Sequence, residues 1–481
     1  ITWNVSGVPE MIKGHLKGMG ALIGPLLVLI VLGMGVRLIL APWTSWTFDM
    51  FPFYSASMDM LLGNGMYGHA NFSYPPLFGM VMYPFVYLLS LFLDPALFGM
   101  VEHSMVGVSQ TTKMITPLVT HPAFNLAVKL PLIIGDLILG LLLYQVVKEW
   151  KGEVWAKRTF ILWFLNPLVI WISSVSGQFD VLPALLTLCA LLLFIRRNYF
   201  LCGLTLGIAF LFKIYPVYLI VFYLAILLAW QIGARERPFW GYLRRTGSLI
   251  TGSLVSLVVV IPALLQGGSM VEYVLRRTGT PSFGGLNLWF FVPGASGIDP
   301  PSPLAGLTTD ITLLVIFMAV VAFVLTLLLV RWLVRWGMDW KRYLVWGNIL
   351  VLASVLLLQP VTNPQHLLWI FPFLLLGALW DGRMGRKLYA LTVVGLIYFL
   401  VLQSFHAFLY PLAVYTPWVE IASLNESIRA FYLGGWLIPR AYLFILASFA
   451  GALVLVSLFL PRRYDIIERA YQVLSRRCRS G

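Results

Sequence analysis

PLFGMVMYPFVYLLSLFL, residues 76–93, decides how this chain is threaded. The stretch carries no charged residue and matches the length of about 17–25 residues that a helix needs to cross a bilayer. Counting it as a crossing puts every later basic loop on the outer side. Leaving it out puts those loops on the cytoplasmic side, where Lys and Arg accumulate. The segment therefore reads as a helix lying in, or dipping into, the outer interface, where irregular backbone is tolerated under a cover of protein. The whole of 42–122 then becomes one long external loop.

Composition supports the membrane setting. Of 481 residues, 60% are hydrophobic and 11% charged, with mean hydropathy +0.88; soluble domains carry about 25% charged residues. Apolar runs recur from end to end, which excludes a soluble enzyme on a single anchor. The net charge of +14 is not spread as an even basic patch, so no nucleic-acid partner is implied. The basic residues cluster between apolar runs instead. Lys148, Lys151, Lys157 and Arg158 form one group, and Arg196 with Arg197 another. Further groups are Arg235 to Arg245, Arg331 to Arg342, Arg383 to Lys387, and the ends of the chain around Lys13 and Arg462. The three cysteines have neither disulfide nor metal spacing.

The apolar runs predict helices over 21–41, 124–147, 160–176, 180–196, 200–213, 215–232, 247–265, 311–330, 343–359, 365–381, 387–409 and 440–460. These are about twelve spans, which places both termini in the cytoplasm. The expected fold class is all-α: a polytopic transmembrane helical protein, with 1–481 as a single integral membrane domain. Residues 42–122 and 266–310 are its large external loops, and 461–481 is a cytoplasmic basic tail. The chain opens at Ile1, and its first apolar run lacks a small-residue cleavage signal, so that run reads as a retained helix.

Polar islands fall on the outer side of this arrangement: FDMFPF (48–53) with SYPPL (73–77), SGQFD (176–180), FKIYP (212–216), RRTGTPSFGGLNLW (276–289) and NPQH (363–366). Each could be a helix end with ordinary caps and turns. Islands from distant parts of the chain on one face point to a shared site, as broken helices at a membrane face do. Asp49 reads as a catalytic carboxylate just beyond the first span, or as a helix cap, and Asp59 as a solvated acid. Lys129 and Asp136 share one face of the second span and call for pairing with each other or with a neighbouring helix. Lys213 stands at a break marked by Pro216. Arg276 and Arg277 precede a glycine-rich segment, a combination of guanidinium groups and exposed amides that suits phosphate. His366 is either a helix-start residue or a phosphate ligand. Walker, Rossmann and HExxH patterns are absent from the sequence, and no outer Asp-x-Asp pair occurs, so neither a cofactor nor a metal is implied.

The islands, in this order, resemble the GT-C class of polytopic glycosyltransferases that use a lipid-phosphate sugar donor. The family of the first GPI mannosyltransferase is resembled by LNPL (165–168), by GQFD, by GLTLGIAFLFKIYP (203–216) and by NPQHLLWIFPFLLL (363–376). The dolichol-pathway glucosyltransferases are resembled by YPPL (74–77), by GQFD and by the spacing from Arg277 to NLW. The likeness implies inverting transfer of a hexose, mannose rather than glucose, from a polyprenyl- or dolichyl-phosphate donor to a lipid-linked or glycan acceptor. It implies Asp49 as general base on the non-cytoplasmic face. Lys213, Arg276, Arg277 and His366 would hold the donor phosphate, and Tyr74, Gln178, Asp180, Tyr215, Asn287 and Gln365 would line the substrates. Membrane lipids are the remaining partners. Thr47 replaces the first Asp of the mannosyltransferase Asp-x-Asp, and GQFD lacks the glucosyltransferase histidine. Two other classes compete: a transporter or lipid flippase, and a non-enzymatic assembly protein, in which Asp49 would be dispensable.

Overall fold

The computed structural model describes residues 24–68, 72, 74–99, 101–102, 118–233, 239–265, 284–287, 320–321, 324, 339–359, 361–402, 404–433 and 437–460. The described residues are overwhelmingly helical, and the chain is an integral, multi-pass membrane protein. Helix α1 (Leu27–Trp43) is followed by α2 (Thr47–Leu61) and α3 (Leu77–Ser90). A long α4 (Pro122–Lys151) leads to α5 (Glu153–Phe164), α6 (Pro167–Ile170) with a π-helical continuation (Trp171–Ser176), α7 (Val181–Ile195), α8 (Tyr199–Phe210) and α9 (Pro216–Gly233). After α10 (Phe239–Val255) and α11 (Ile261–Leu265) come α12 (Trp340–Leu358), a 3₁₀ turn (Pro364–Trp369), α13 (Phe371–Gly377) and α14 (Gly382–Leu402). The described chain closes with α15 (Tyr410–Tyr415), α16 (Ile421–Leu433) and α17 (Leu437–Ser457).

Two miniature ladders depart from the all-helical expectation. β1 (Val101–Glu102) pairs antiparallel with β2 (Leu118–Val119), and β3 (Gly284–Gly285) pairs parallel with β4 (Val361–Thr362).

Four helices among the described residues are long and apolar enough to cross a bilayer: Pro122–Lys151, Phe239–Ala263, Trp340–Leu358 and Gly382–Val401. The bent pair α5–α6, with a 42° turn at its break, makes a fifth. The other apolar helices are shorter, and prolines and polar islands explain several of their limits. Pro216 opens α9 after the Lys213 break. The run expected over 365–381 is divided into a 3₁₀ turn and α13, with Pro364 and Pro372 each at the first or second position of its piece. The run over 311–330 lies almost entirely outside the described residues. Residues 76–93 do form a helix, α3, whose 14 residues rise only about 21 Å at 1.5 Å each, short of the roughly 30 Å hydrocarbon core.

Helix α4 is the hub, packing against α1, α3, α5, α7 and the π segment. Its Gly135 and Gly140 let Leu182 and Phe160 approach closely. Helices α8 and α10 touch backbone to backbone, because a Cβ on Gly203 would lie 1.9 Å from the Leu249 carbonyl oxygen; small residues permit this approach where apolar burial offers no net drive. A smaller cluster of Val119, Tyr410, Ala413, Leu424 and Ile428 joins β2 to α15 and α16.

Candidate functional site

Asp49 does not lie in a loop. It occupies the first turn of α2, half-buried, where its negative charge suits the positive end of the helix dipole. Trp46, not Asp49, is the N-cap residue, and its ring stacks on Phe408 at 5.2 Å. Asp59, expected in solvent, is buried on the same helix at 4% exposure, because the chain turns back after Leu61 and sets Gly68 beside its carboxyl carbon.

Two of the expected residues meet in a buried ion pair. The Asp180 carboxylate, at the start of α7, accepts hydrogen bonds from Lys213 Nζ at 2.7 and 2.8 Å and from Trp369 Nε1 at 2.7 Å. Asp180 is fully buried and the Lys213 side chain is 12% exposed. The ammonium also faces the rings of Phe179 (4.9 Å) and Trp369 (5.8 Å), a cation–π setting. Tyr215 stacks on Trp369 at 4.1 Å, and His366 stacks on Trp369 at 4.5 Å. One tryptophan thus gathers three sequence islands.

The network continues through Gln359. Its side-chain amide reaches Thr362 Oγ1 at 3.0 Å and His366 Nδ1 at 3.1 Å, while its main-chain carbonyl accepts from Asn287 Nδ2 at 2.9 Å. Asn287 is held there by the β3–β4 ladder, and Leu286 N donates to the Thr362 carbonyl at 2.9 Å. Gly285 makes the register possible: its φ of +110° suits glycine, and a Cβ would lie 2.1 Å from the Thr362 oxygen. Gln365 is buried on the same 3₁₀ turn.

Tyr74 belongs to an aromatic cluster beside this network. Its ring meets Phe179 edge-on at 5.1 Å, and its carbonyl accepts from Tyr67 O–H at 2.8 Å. Burial pushes the Tyr67 phenol well above its usual pKa. Phe179 in turn stacks on Phe78 at 4.4 Å. Gln178 is buried on the turn that enters α7, and its main-chain N–H donates to the Ile172 carbonyl at 2.8 Å. Arg276 and Arg277 lie outside the described residues.

Lys129 and Asp136 do not pair with each other. Asp136 accepts from Arg37 Nε at 2.9 Å and from Ser173 Oγ at 2.6 Å, which joins α4 to α1 and to the π segment. Arg37 also donates to the Phe164 carbonyl at 2.8 Å and lies 4.3 Å from the Phe164 ring centre. Lys129 donates instead to the carbonyls of Ala41 (3.1 Å), Thr44 (2.6 Å) and Val175 (3.0 Å). Its ammonium stitches the end of α1 to the end of the π segment.

Sequence reasoning passed over Arg37, Gln359, Thr362 and Trp369. Arg37 is visible in retrospect as the lone charge in the first apolar run, and a buried charge requires a partner. Trp369 stands three residues beyond His366, which on a 3₁₀ turn is the same face. Gln359 carried no comparable signal. Among the described residues, no three His, Cys, Asp or Glu side chains come together as a metal site.

The comparisons redirect the functional reading. The family model described as "GPI transamidase subunit PIG-U" matches residues 63–280, a little under half of the chain. A curated relative, "GPI mannosyltransferase 1" of Candida albicans (strain SC5314 / ATCC MYA-2876), is 27% identical over 150 residues, 31% of this chain and 35% of that protein. The chain thus matches about a third of that relative's length. These findings overturn the assignment to GT-C glycosyltransferases and, with it, hexose transfer by Asp49 as general base: the matching family model describes a transamidase subunit, and the mannosyltransferase likeness is distant and partial. The error has a physical origin. Apolar helices interrupted by polar turns mark a shared membrane architecture, and architecture does not carry chemistry with it.

Proposed function

We propose that the chain is a multi-pass membrane subunit of GPI transamidase, serving the attachment of GPI anchors rather than sugar transfer. The family-model match over 63–280 carries this reading. That stretch begins after Asp49, ends before His366, and contains the turns that present Asp180 and Lys213. The side-chain geometry accords with a subunit whose cations hold its helices together. Lys213 closes on Asp180, and Lys129 is spent on three backbone carbonyls. Its partners are the other subunits of that complex and the surrounding lipids. In this reading the chain crosses the bilayer about twelve times, with both termini cytoplasmic and the 42–122 and 266–310 segments opposite, as the basic clusters require.

The test is deletion of the chain in its own cells with a GPI-anchored reporter. Loss should leave the reporter as an unprocessed precursor while complete, fully mannosylated anchor lipid accumulates. The chain should also co-purify with the transamidase from mild-detergent extracts. Accumulation of an under-mannosylated anchor lipid would sink the subunit reading and favour the activity named for the Candida relative.

A further inference from the structure

We propose that the cytoplasmic end of α10 and the turn between α7 and α8 together bind the headgroup of an anionic phospholipid. Two adjacent arginines stand on each element: Arg196 and Arg197 on the turn, Arg244 and Arg245 on the helix. Neither residues 196–201 nor residues 239–255 include an acid.

Packing brings the two pairs to one level. Gly203 of α8 meets Leu249 of α10, and Gly207 meets Ser253 and Ser256, so the two helices run in the same direction. The Phe200 carbonyl oxygen lies 2.1 Å from the Cβ position of Gly252, and Ser253 Oγ donates to the Gly203 carbonyl at 3.1 Å. The turn that opens α8 is therefore level with the part of α10 around Arg245. Helices in contact through glycine lie no more than about 8–10 Å apart, so side chains from both elements can reach one phosphate. The planar guanidinium fork matches phosphate oxygens two at a time.

The four guanidinium groups are available for it. Among the described residues none of them is in an ion pair, whereas Lys148 and Lys157 pair with Glu153, and Arg383 with Asp381. Arg196, Arg197 and Arg244 are exposed. Arg245 stands one turn before the buried Leu249, on the packed side of α10, and its Nε is buried with no hydrogen-bond partner. Arg197 has φ +60°, the one positive value at a non-glycine among the described residues. It ends α7 where glycine is usual: its N–H donates to the Phe194 carbonyl at 2.9 Å, and Asn198 N donates to the Leu193 carbonyl at 2.9 Å. The turn thus holds an arginine in a backbone that disfavours a side chain.

The face of α10 beside these arginines selects a lipid over a free anion. Among the described residues α10 is the least buried of the four long apolar helices. Trp240, Leu243, Ile250 and Leu254 line its exposed face at helical spacing, and Trp240 is 79% exposed, as indoles at a membrane interface are. On the same face Gly247 has nothing within 4 Å of its Cβ position, which leaves a notch for an acyl chain. A molecule with an anionic head and hydrocarbon tails fits both parts; a soluble anion uses only the first. The leaflet follows from the threading proposed above, while the site itself depends on neither that threading nor a transamidase.

The full chain, with any co-purifying subunits, is placed in phosphatidylcholine nanodiscs that contain a phosphatidylserine or a phosphatidylcholine probe. Each probe carries a diazirine on the same acyl chain. After irradiation the serine probe should label peptides covering residues 196–201 and 239–254 at least about tenfold more than the choline probe. Arg244→Gln should lower that preference about fivefold, the effect of one basic residue near an anionic surface. Arg197→Gly should lower it equally without lowering the thermal midpoint, because glycine accepts the left-handed backbone. An Arg197→Gly protein that loses stability and labels like wild type has lost a structural residue only, which overturns the site. Equal labelling by the two probes, or a preference that survives both substitutions, overturns it as well. A preference abolished by inorganic phosphate at constant ionic strength means a free-anion site, and cross-linking of these peptides to a co-purifying acidic protein in place of lipid means a protein contact; each overturns the lipid assignment.

Discussion

Replacing Asp180 tests whether the buried ion pair organises the centre of the molecule. Asp180→Ala removes a carboxylate that accepts from Lys213 at 2.7 and 2.8 Å and from Trp369 at 2.7 Å. The Lys213 side chain is only 12% exposed, so solvent replaces little of what is lost. Removing one partner of a buried pair costs about 3–5 kcal/mol. The Trp369 indole N–H loses its acceptor as well, and an unpaired buried donor costs about 1–3 kcal/mol, which keeps the total near the upper end. The double replacement Asp180→Leu with Lys213→Met should behave differently. An apolar pair in place of a buried ion pair is often neutral or better, so the loss should shrink to about the 1–3 kcal/mol of the indole. Thermal unfolding in mild detergent, followed by intrinsic tryptophan fluorescence, ranks the three proteins. The expected order of midpoints is wild type, double variant, single variant. A single variant within about 1 kcal/mol of wild type, or a double variant less stable than the single, would refute the argument that this pair is buried and coupled.

Gly285→Ala should detach β3 from β4, since its Cβ would meet the Thr362 carbonyl oxygen at 2.1 Å in a left-handed backbone; limited proteolysis near 284–287 should accelerate, and an unchanged digestion pattern contradicts the register. His121 caps α4 by accepting from the Ala123 amide at 3.2 Å, and burial holds its imidazole below the ordinary pKa. Only the neutral ring accepts there. Its contribution is therefore complete above about pH 6.5 and is lost as the pH falls through the depressed folded-state value. Hydrogen exchange at Ala123, corrected for intrinsic rates, should lose protection between pH 7 and pH 5; His121→Asn, a cap that does not titrate, should show no such change. Sidedness is tested with single cysteines introduced at Leu62, which is 69% exposed, and at Arg197, after replacing the three native cysteines. An impermeant maleimide should reach position 62 from the non-cytoplasmic face and position 197 from the cytoplasmic face; both labelling from one side would invalidate the threading.

The sequence alone was sufficient for the class of protein and the approximate place of its helices, because both follow from apolar run length and from local breakers such as Pro216 and Pro364. Hydropathy is a property of neighbouring residues, and neighbours in sequence suffice to read it. Composition also made the bilayer the only fitting solvent for α4, α12 and α14. Tertiary structure decided the rest. Asp180 and Lys213 are 33 residues apart, Trp369 is 189 residues from Asp180, and Arg37 reaches Asp136 across 99. No periodicity connects such positions; they meet because helices pack, and each buried charge takes whichever counter-charge or carbonyl packing brings within reach. Asp59 was expected at the surface because an acid in an amphipathic stretch usually is, yet the fold back after Leu61 buried it. Lys129 was expected to pair with Asp136 or with a neighbouring helix, and packing decided for the second through the carbonyls of Ala41, Thr44 and Val175. Function was the least legible of all. Polar turns between apolar helices look alike in sequence whether they hold a reacting sugar or hold the helices to one another, so their pattern does not separate the two.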